Sequence, residues 1–299
     1  MPELSYRAGA LLVALAAILW SLMGLAIRMI ETADAWQILF WRSVGLLPAL
    51  FLLVAWRSGG RPFAAIRSVG LPGLIGGSGL VVAFAGAIYA IQATSVANAV
   101  FLFAASPFIT ALLAWPILRE PVRPATWGAM LLAAFGVGLM VRQGLALGEG
   151  MGAGSLAALL SAAGFAVFTI ALRWGRVGDM LPAVLIGAAL AALVALAVTL
   201  AGGKTILIPA EEMGVALAMG AVLLGAGMTL YTIGSRAVPA AELTLITMIE
   251  VLLAPVWVFL LLGEQATPST LLGGAVILAA VAANALSGAR RRPAANQAV

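Results

Sequence analysis

Residues 106–124 read SPFITALLAWPILREPVRP, and residues 250–268, 144 positions further on, read EVLLAPVWVFLLLGEQATP. Laid over one another, the two stretches set Glu120 against Glu264 and Pro124 against Pro268. Each acid closes an apolar run, and each proline opens another run rich in small residues. Working outward, the run ending at Arg28 closes on Ala-Ile-Arg and the run ending near Arg173 closes on Ala-Leu-Arg. The chain therefore reads as two related halves, 8–142 and 152–288, followed by a polar tail, 289–299, expected to be disordered on the cytoplasmic side.

Composition says which solvent those halves need. Of 299 residues 64% are hydrophobic and only 9% charged, against about 25% charged in a soluble domain; mean hydropathy is +1.14. Ten apolar runs fall at roughly 8–29, 36–55, 69–92, 96–118, 124–142, 152–175, 180–201, 212–236, 240–261 and 268–288. Each approaches the length of about 20 residues that a helix needs to cross the hydrocarbon core. Ala14-Leu15-Ala16 looks like a signal-peptide cleavage site, but the apolar run continues to Ile27, too long for a signal core. Glycine, proline and arginine fill the breaks, as in Arg57-Ser58-Gly59-Gly60-Arg61-Pro62. The connections are short, so helices adjacent in sequence are expected to be antiparallel neighbours.

The fold class that follows is an all-α membrane protein of ten transmembrane helices. Five helices per half is an odd number, so the second half enters from the opposite face: two inverted five-helix repeats. With the N-terminus inside, one face holds Arg7, Arg57, Arg61, Arg67, Arg119, Arg123, Arg173, Arg176, Arg236 and Arg290 to Arg292, and the other only Arg28, Arg142 and Lys204. Positive-inside bias then puts both termini in the cytoplasm. The net charge of +5 is thus spread over membrane loops, which argues against a nucleic-acid partner. Inverted repeats are a secondary-transporter architecture, with the substrate path between halves near the midplane.

The Ser-Pro-Phe … Arg-Glu-Pro pattern of the first half, Glu-Val … Pro-Val … Leu-Gly-Glu in the second, and Phe40-Trp41-Arg42 in the second run together resemble the EamA-type branch of the drug/metabolite transporter superfamily. Two departures stand out. The proline after Glu250 is delayed to Pro255, and the seventh run has no counterpart of Arg42. The resemblance implies a ten-helix exporter of small metabolites. It is most similar to the branch that exports aromatic amino acids and organic cations, in a bacterial inner membrane.

Ionisable side chains inside a bilayer carry a penalty of about 3 kcal/mol even on insertion scales, so each is a functional candidate. Glu250 lies mid-helix and shares a face with Thr247 and Ala254; the equivalent face of the fourth run is Phe103, Ser106 and Thr110. Glu250 reads either as a cavity carboxylate that binds an ammonium or a proton, or as a protonated buried acid. Glu242, three residues after Pro239, reads as a first-turn acid on the helix dipole or as a second proton-coupling group. Arg42 is expected to pair with Asp34 or Glu31 or to snorkel outward, with a substrate carboxylate as the alternative partner. Polar residues on aromatic stripes complete the expected substrate site: Trp20, Ser21, Ser78, Tyr89, Asn98, Phe101, Ser161, Phe165 and Tyr231, alongside Thr247 and Glu250. Trp36, Trp56 and Trp174 are expected to anchor at the membrane interface.

The chain has neither histidine nor cysteine, which removes catalysis by histidine, metal sites built on histidine or cysteine, and disulfides. Its two aspartates, Asp34 and Asp179, fall near opposite faces, against an intramembrane aspartate pair. Gly203-Lys204-Thr205 lacks the first glycine of a phosphate loop. An enzyme and a cofactor are therefore not expected. The functional expectation is a secondary transporter, working as a monomer by alternating access and exporting amphipathic metabolites, aromatic amino acids foremost. The alternatives are a facilitator for other metabolites or organic cations, and a non-transporting receptor or scaffold.

Overall fold

The structure is a computed structural model, which describes residues 5–118, 124–146, 152–174, 181–234, 237 and 240–289. All described elements are helical. In the first half they are α1 (Tyr6–Ser21), α2 (Met23–Arg28), α3 (Ala35–Arg57), α4 (Pro62–Ser68), α5 (Gly70–Ala93), α6 (Val96–Phe103), α7 (Ser106–Leu118) and α8 (Pro124–Ala146). In the second they are α9 (Ala153–Trp174), α10 (Leu181–Ala201), α11 (Ala210–Ala218), a π-helical stretch (Met219–Ala226), α12 (Gly227–Gly234), α13 (Ala240–Leu262) and α14 (Pro268–Ala289). Seven helical spans are long and apolar enough to cross a membrane, and Pro124–Leu139, Ile249–Leu262 and Pro268–Ala283 are shorter apolar helices.

Local chemistry sets the ends. The Asp34 side chain accepts from the N–H groups of Trp36 and Gln37, and Gln37 reaches back to the Asp34 N–H, a reciprocal cap for α3. Ser5 and Ser95 cap α1 and α6 in the simpler way. The fourth apolar run, read as continuous, is broken between α6 and α7 at Ala104-Ala105. Pro107, which has no N–H to donate to the Phe103 carbonyl one turn back, accounts for the break.

Helices adjacent in sequence are not the main packing partners, contrary to the expectation from short loops. Among the described residues, α5 packs along α9 and α10, α1 along α12 and α13, α3 along α10 and the π stretch, and α8 along α14. Each of these contacts joins one half to the other. Glycine permits the closest of them: a Cβ on Gly79 would stand 2.7 Å from the Gly164 carbonyl oxygen, and one on Gly164 would stand 2.6 Å from that of Gly79. One buried cluster runs through both halves, from Leu39 and Leu46 to Phe168 and Met219, and a second joins Phe108, Ala129 and Ala133 to Ala280 and Val281. The outer surface is apolar, with Leu52, Leu131, Leu193, Leu260 and Leu261 exposed. Such a surface needs lipid. Trp56 and Trp174 are exposed at helix ends, whereas Trp36 packs on the core.

Candidate functional site

Between the halves lies a cavity of about 800 Å³. Its wall takes Trp20 and Gly24 from α1 and α2, Arg42 from α3, and Phe84 and Ile88 from α5. Phe103, Ser106 and Thr110 come from α6 and α7, and Ser161 and Phe165 from α9. Tyr231 belongs to α12, and Thr247 and Glu250 to α13. The polar face of α13 and its repeat equivalent on α6 and α7 thus meet across one space. Trp20 and Tyr231 pack ring to ring at 5.4 Å. The Ser161 hydroxyl donates to the Ala83 carbonyl at 2.7 Å, tying α9 to α5. Among the described residues, Glu250 is the only acidic one in the lining, and it makes no ion pair with them.

Six of the residues expected from sequence line this space: Trp20, Ser161, Phe165, Tyr231, Thr247 and Glu250. Five lie elsewhere. The Ser21 hydroxyl donates to the Ile18 carbonyl and accepts from the Trp257 indole at 2.9 Å. Asn98 donates to the hydroxyls of Thr94 and Ser155, and Phe101 is buried in the core against Gly274. Ser78 and Tyr89 are exposed on the far side of α5. The stripe of α5 that carries polar residues faces outward, and Ala83, Phe84, Ala87 and Ile88 line the cavity instead. A small serine and an amphipathic tyrosine tolerate the outward face, so polarity did not mark the inner one. Glu242 belongs to α13, but its side chain lies outside the described residues.

The expected pairing of Arg42 does not occur. Asp34 is held by Lys204 at 2.7 Å instead. Arg42 is buried, 4% exposed, in the cavity wall, with its guanidinium 4.3 Å from the centre of the Phe84 ring. Its Nε and Nη2 are buried and have no hydrogen-bond acceptor among the described residues. A desolvated cation over a ring gains about 2 kcal/mol, less than the several kcal/mol that burying the charge costs. A signal was present in sequence: Ile38, Leu39, Gly45 and Leu46, the helical neighbours of Arg42, are all uncharged. Backbone packing fixes the position, for Gly220 of the π stretch lies against the Arg42 carbonyl and Gly45 against that of Leu217.

One end of the bundle is fastened by polar contacts between the halves. Arg28 pairs with Glu264 at 2.8 Å and donates to the Thr94 carbonyl at 2.6 Å. The other Glu264 oxygen accepts from the Val96 N–H, at the start of α6, at 2.6 Å. Glu212 accepts from the N–H groups of Glu31, Thr32 and Ala33 and from the Thr32 hydroxyl at 2.9–3.1 Å. Gln37 and Trp41 donate to the carbonyls of Thr205 and Ile206. Partial burial raises the Asp34 carboxyl; the Lys204 ammonium and the Gln37 and Trp36 N–H groups outweigh it and hold the group below its usual range.

A lipid-facing helical bundle with an internal, amphipathic cavity shared by two halves is the arrangement of a multi-pass membrane transporter. The family comparison is specific: the EamA-like transporter family matches twice, over residues 7–142 and 152–286. The chain belongs to that family, and is thereby a transporter of the drug/metabolite superfamily. A solved crystal structure is similar in fold with a TM-score of 0.66, covering 96% of this chain and 99% of its own, at 19% identity. No curated protein matches the chain in sequence.

Proposed function

We propose that the chain is a secondary transporter that exports amphipathic amino acids, aromatic ones preferentially, through the cavity between its halves. The observation that carries this reading is the cavity wall: one carboxylate, Glu250, among Trp20, Phe84, Phe165 and Tyr231. Aromatic walls take an apolar side chain, and a carboxylate takes an ammonium. Ten membrane spans in two inverted repeats, with both termini in the cytoplasm, account for the apolar runs and for the arginine distribution. The end fastened by Arg28 and Glu264 then faces away from the cytoplasm, and alternating access consists of breaking that fastening while the opposite end closes. Glu250 is the proton-coupling group of this scheme, and the protein works as a monomer in a bacterial inner membrane.

The test is uptake of radiolabelled phenylalanine, tryptophan and threonine into proteoliposomes, with and without an imposed pH gradient. The reading predicts saturable flux of the aromatic pair above threonine, accelerated by the gradient. Absence of flux for all three removes the substrate assignment; gradient-independent flux removes the proton coupling.

A further inference from the structure

The cavity wall contains a second charge that the amino-group reading leaves unused. We infer that Arg42 anchors a carboxylate of the transported molecule, so that the cavity selects compounds with an anionic end and disfavours organic cations that lack one. The inference rests on the cavity being the substrate site.

Burial, unpartnered donors and the charges of the lining carry it. Arg42 is 4% exposed and lines the cavity. Its Nε and Nη2, the adjacent donors on one edge of the guanidinium, are buried and have no acceptor among the described residues; that edge is the fork which a carboxylate, once admitted from the cavity, bridges with two parallel hydrogen bonds. The Phe84 ring, centred 4.3 Å from the guanidinium carbon, offers these donors no lone pair. No described carboxylate pairs with the group. Asp34 is bound to Lys204, and neither Glu250 nor any other described acid lies within ion-pair distance of Arg42. The described lining residues include no lysine and no second arginine, so the fixed positive charge matches a single negative one. With Glu250 in the same wall, the space has one charge of each sign, the complement of a zwitterion.

The test uses the purified full chain in nanodiscs, with tryptophan fluorescence as the readout, since Trp20 lines the cavity. The probes are 3-phenylpropionate and its uncharged isostere 3-phenylpropanamide. The wild-type protein is expected to bind the carboxylate at least tenfold more tightly than the amide. Arg42→Gln should bring the two to within twofold, and Arg42→Lys, which keeps the charge but loses the fork, should retain part of the preference. Should Arg42→Gln fail to fold, the wild-type ratio and its reduction in Arg42→Lys decide. Equal binding of both probes, binding of neither, or a preference unchanged by the substitutions overturns the inference. Carboxylate preference without phenylalanine flux would refute the amino-acid reading alone, whereas phenylalanine flux without the preference would refute the role of Arg42 alone.

Discussion

Glu250 and Asp34 show how differently a carboxylate is used inside the bundle and at its edge. Glu250 has no ion-pair partner among the described residues and lines the cavity with aromatic rings, where a cationic ligand or a proton would neutralise it. Glu250→Gln keeps the shape and removes the charge; it is expected to lower amino-acid flux at least tenfold and to abolish the response to a pH gradient, both read in proteoliposomes. Asp34 is satisfied locally by Lys204 and its own helix cap. Asparagine caps as well as aspartate, so Asp34→Asn isolates the ion pair, about 0.2–1 kcal/mol for a partly exposed one. The Asp34 carboxyl is held below its usual value of 3.8, so its contribution is full above that pH and lost as pH falls through the lower, folded value. Thermal melts should therefore separate wild type from Asp34→Asn at pH 7, and the gap should close on acidification. Glu250 was legible in sequence as an acid in mid-run. Arg42 was read through the acids nearest in sequence, Asp34 and Glu31, and its true environment, Phe84 and the π stretch, comes from elements far along the chain.

At the scale of the element, Pro124 and Pro268 were legible as the starts of runs and open α8 and α14, whereas the caps went unread. The reciprocal cap of α3 sits at the boundary of a run, and Pro107 explains the division of α6 from α7, although the run itself read as unbroken. Packing partners were less so. Short loops suggest neighbours in sequence, yet small residues chose partners across the halves, because glycine lets the backbones of α5 and α9 touch where longer side chains would hold them apart. That contact makes a sharp prediction. Gly164→Leu inserts a side chain where even a Cβ would meet the Gly79 carbonyl and the Ala83 N–H, an overpacking penalty of about 1–3 kcal/mol or more. It should lower the melting temperature or yield aggregated protein in size-exclusion chromatography. Gly128→Ala in α8, where nothing lies within 4 Å of a new Cβ, should leave both unchanged. The outward turn of the Ser78–Tyr89 stripe has the same origin: the cavity face of α5 is defined by what packs around it, and its residues are almost entirely apolar.

For the whole molecule, the repeat read from Glu120 and Glu264 organises both the cavity and its fastening. Glu264 joins the loop after α13 to Arg28 and to the start of α6, so a single carboxylate holds elements of both halves at one end. Nothing in the local sequence around Glu264 signals Arg28, 236 residues away; the pairing emerges only when the halves interleave. If the cavity is emptied by separating the halves at this end, fastening it permanently must stop transport. The chain contains no cysteine, so the double variant Arg28→Cys/Glu264→Cys can be bridged by a short bis-methanethiosulfonate reagent without background labelling. Phenylalanine flux in proteoliposomes is then the deciding measurement. The account predicts that bridging reduces flux at least tenfold, that reductant restores it, and that either single variant is insensitive. Undiminished flux through the bridged protein would contradict transport by alternating access between the two halves.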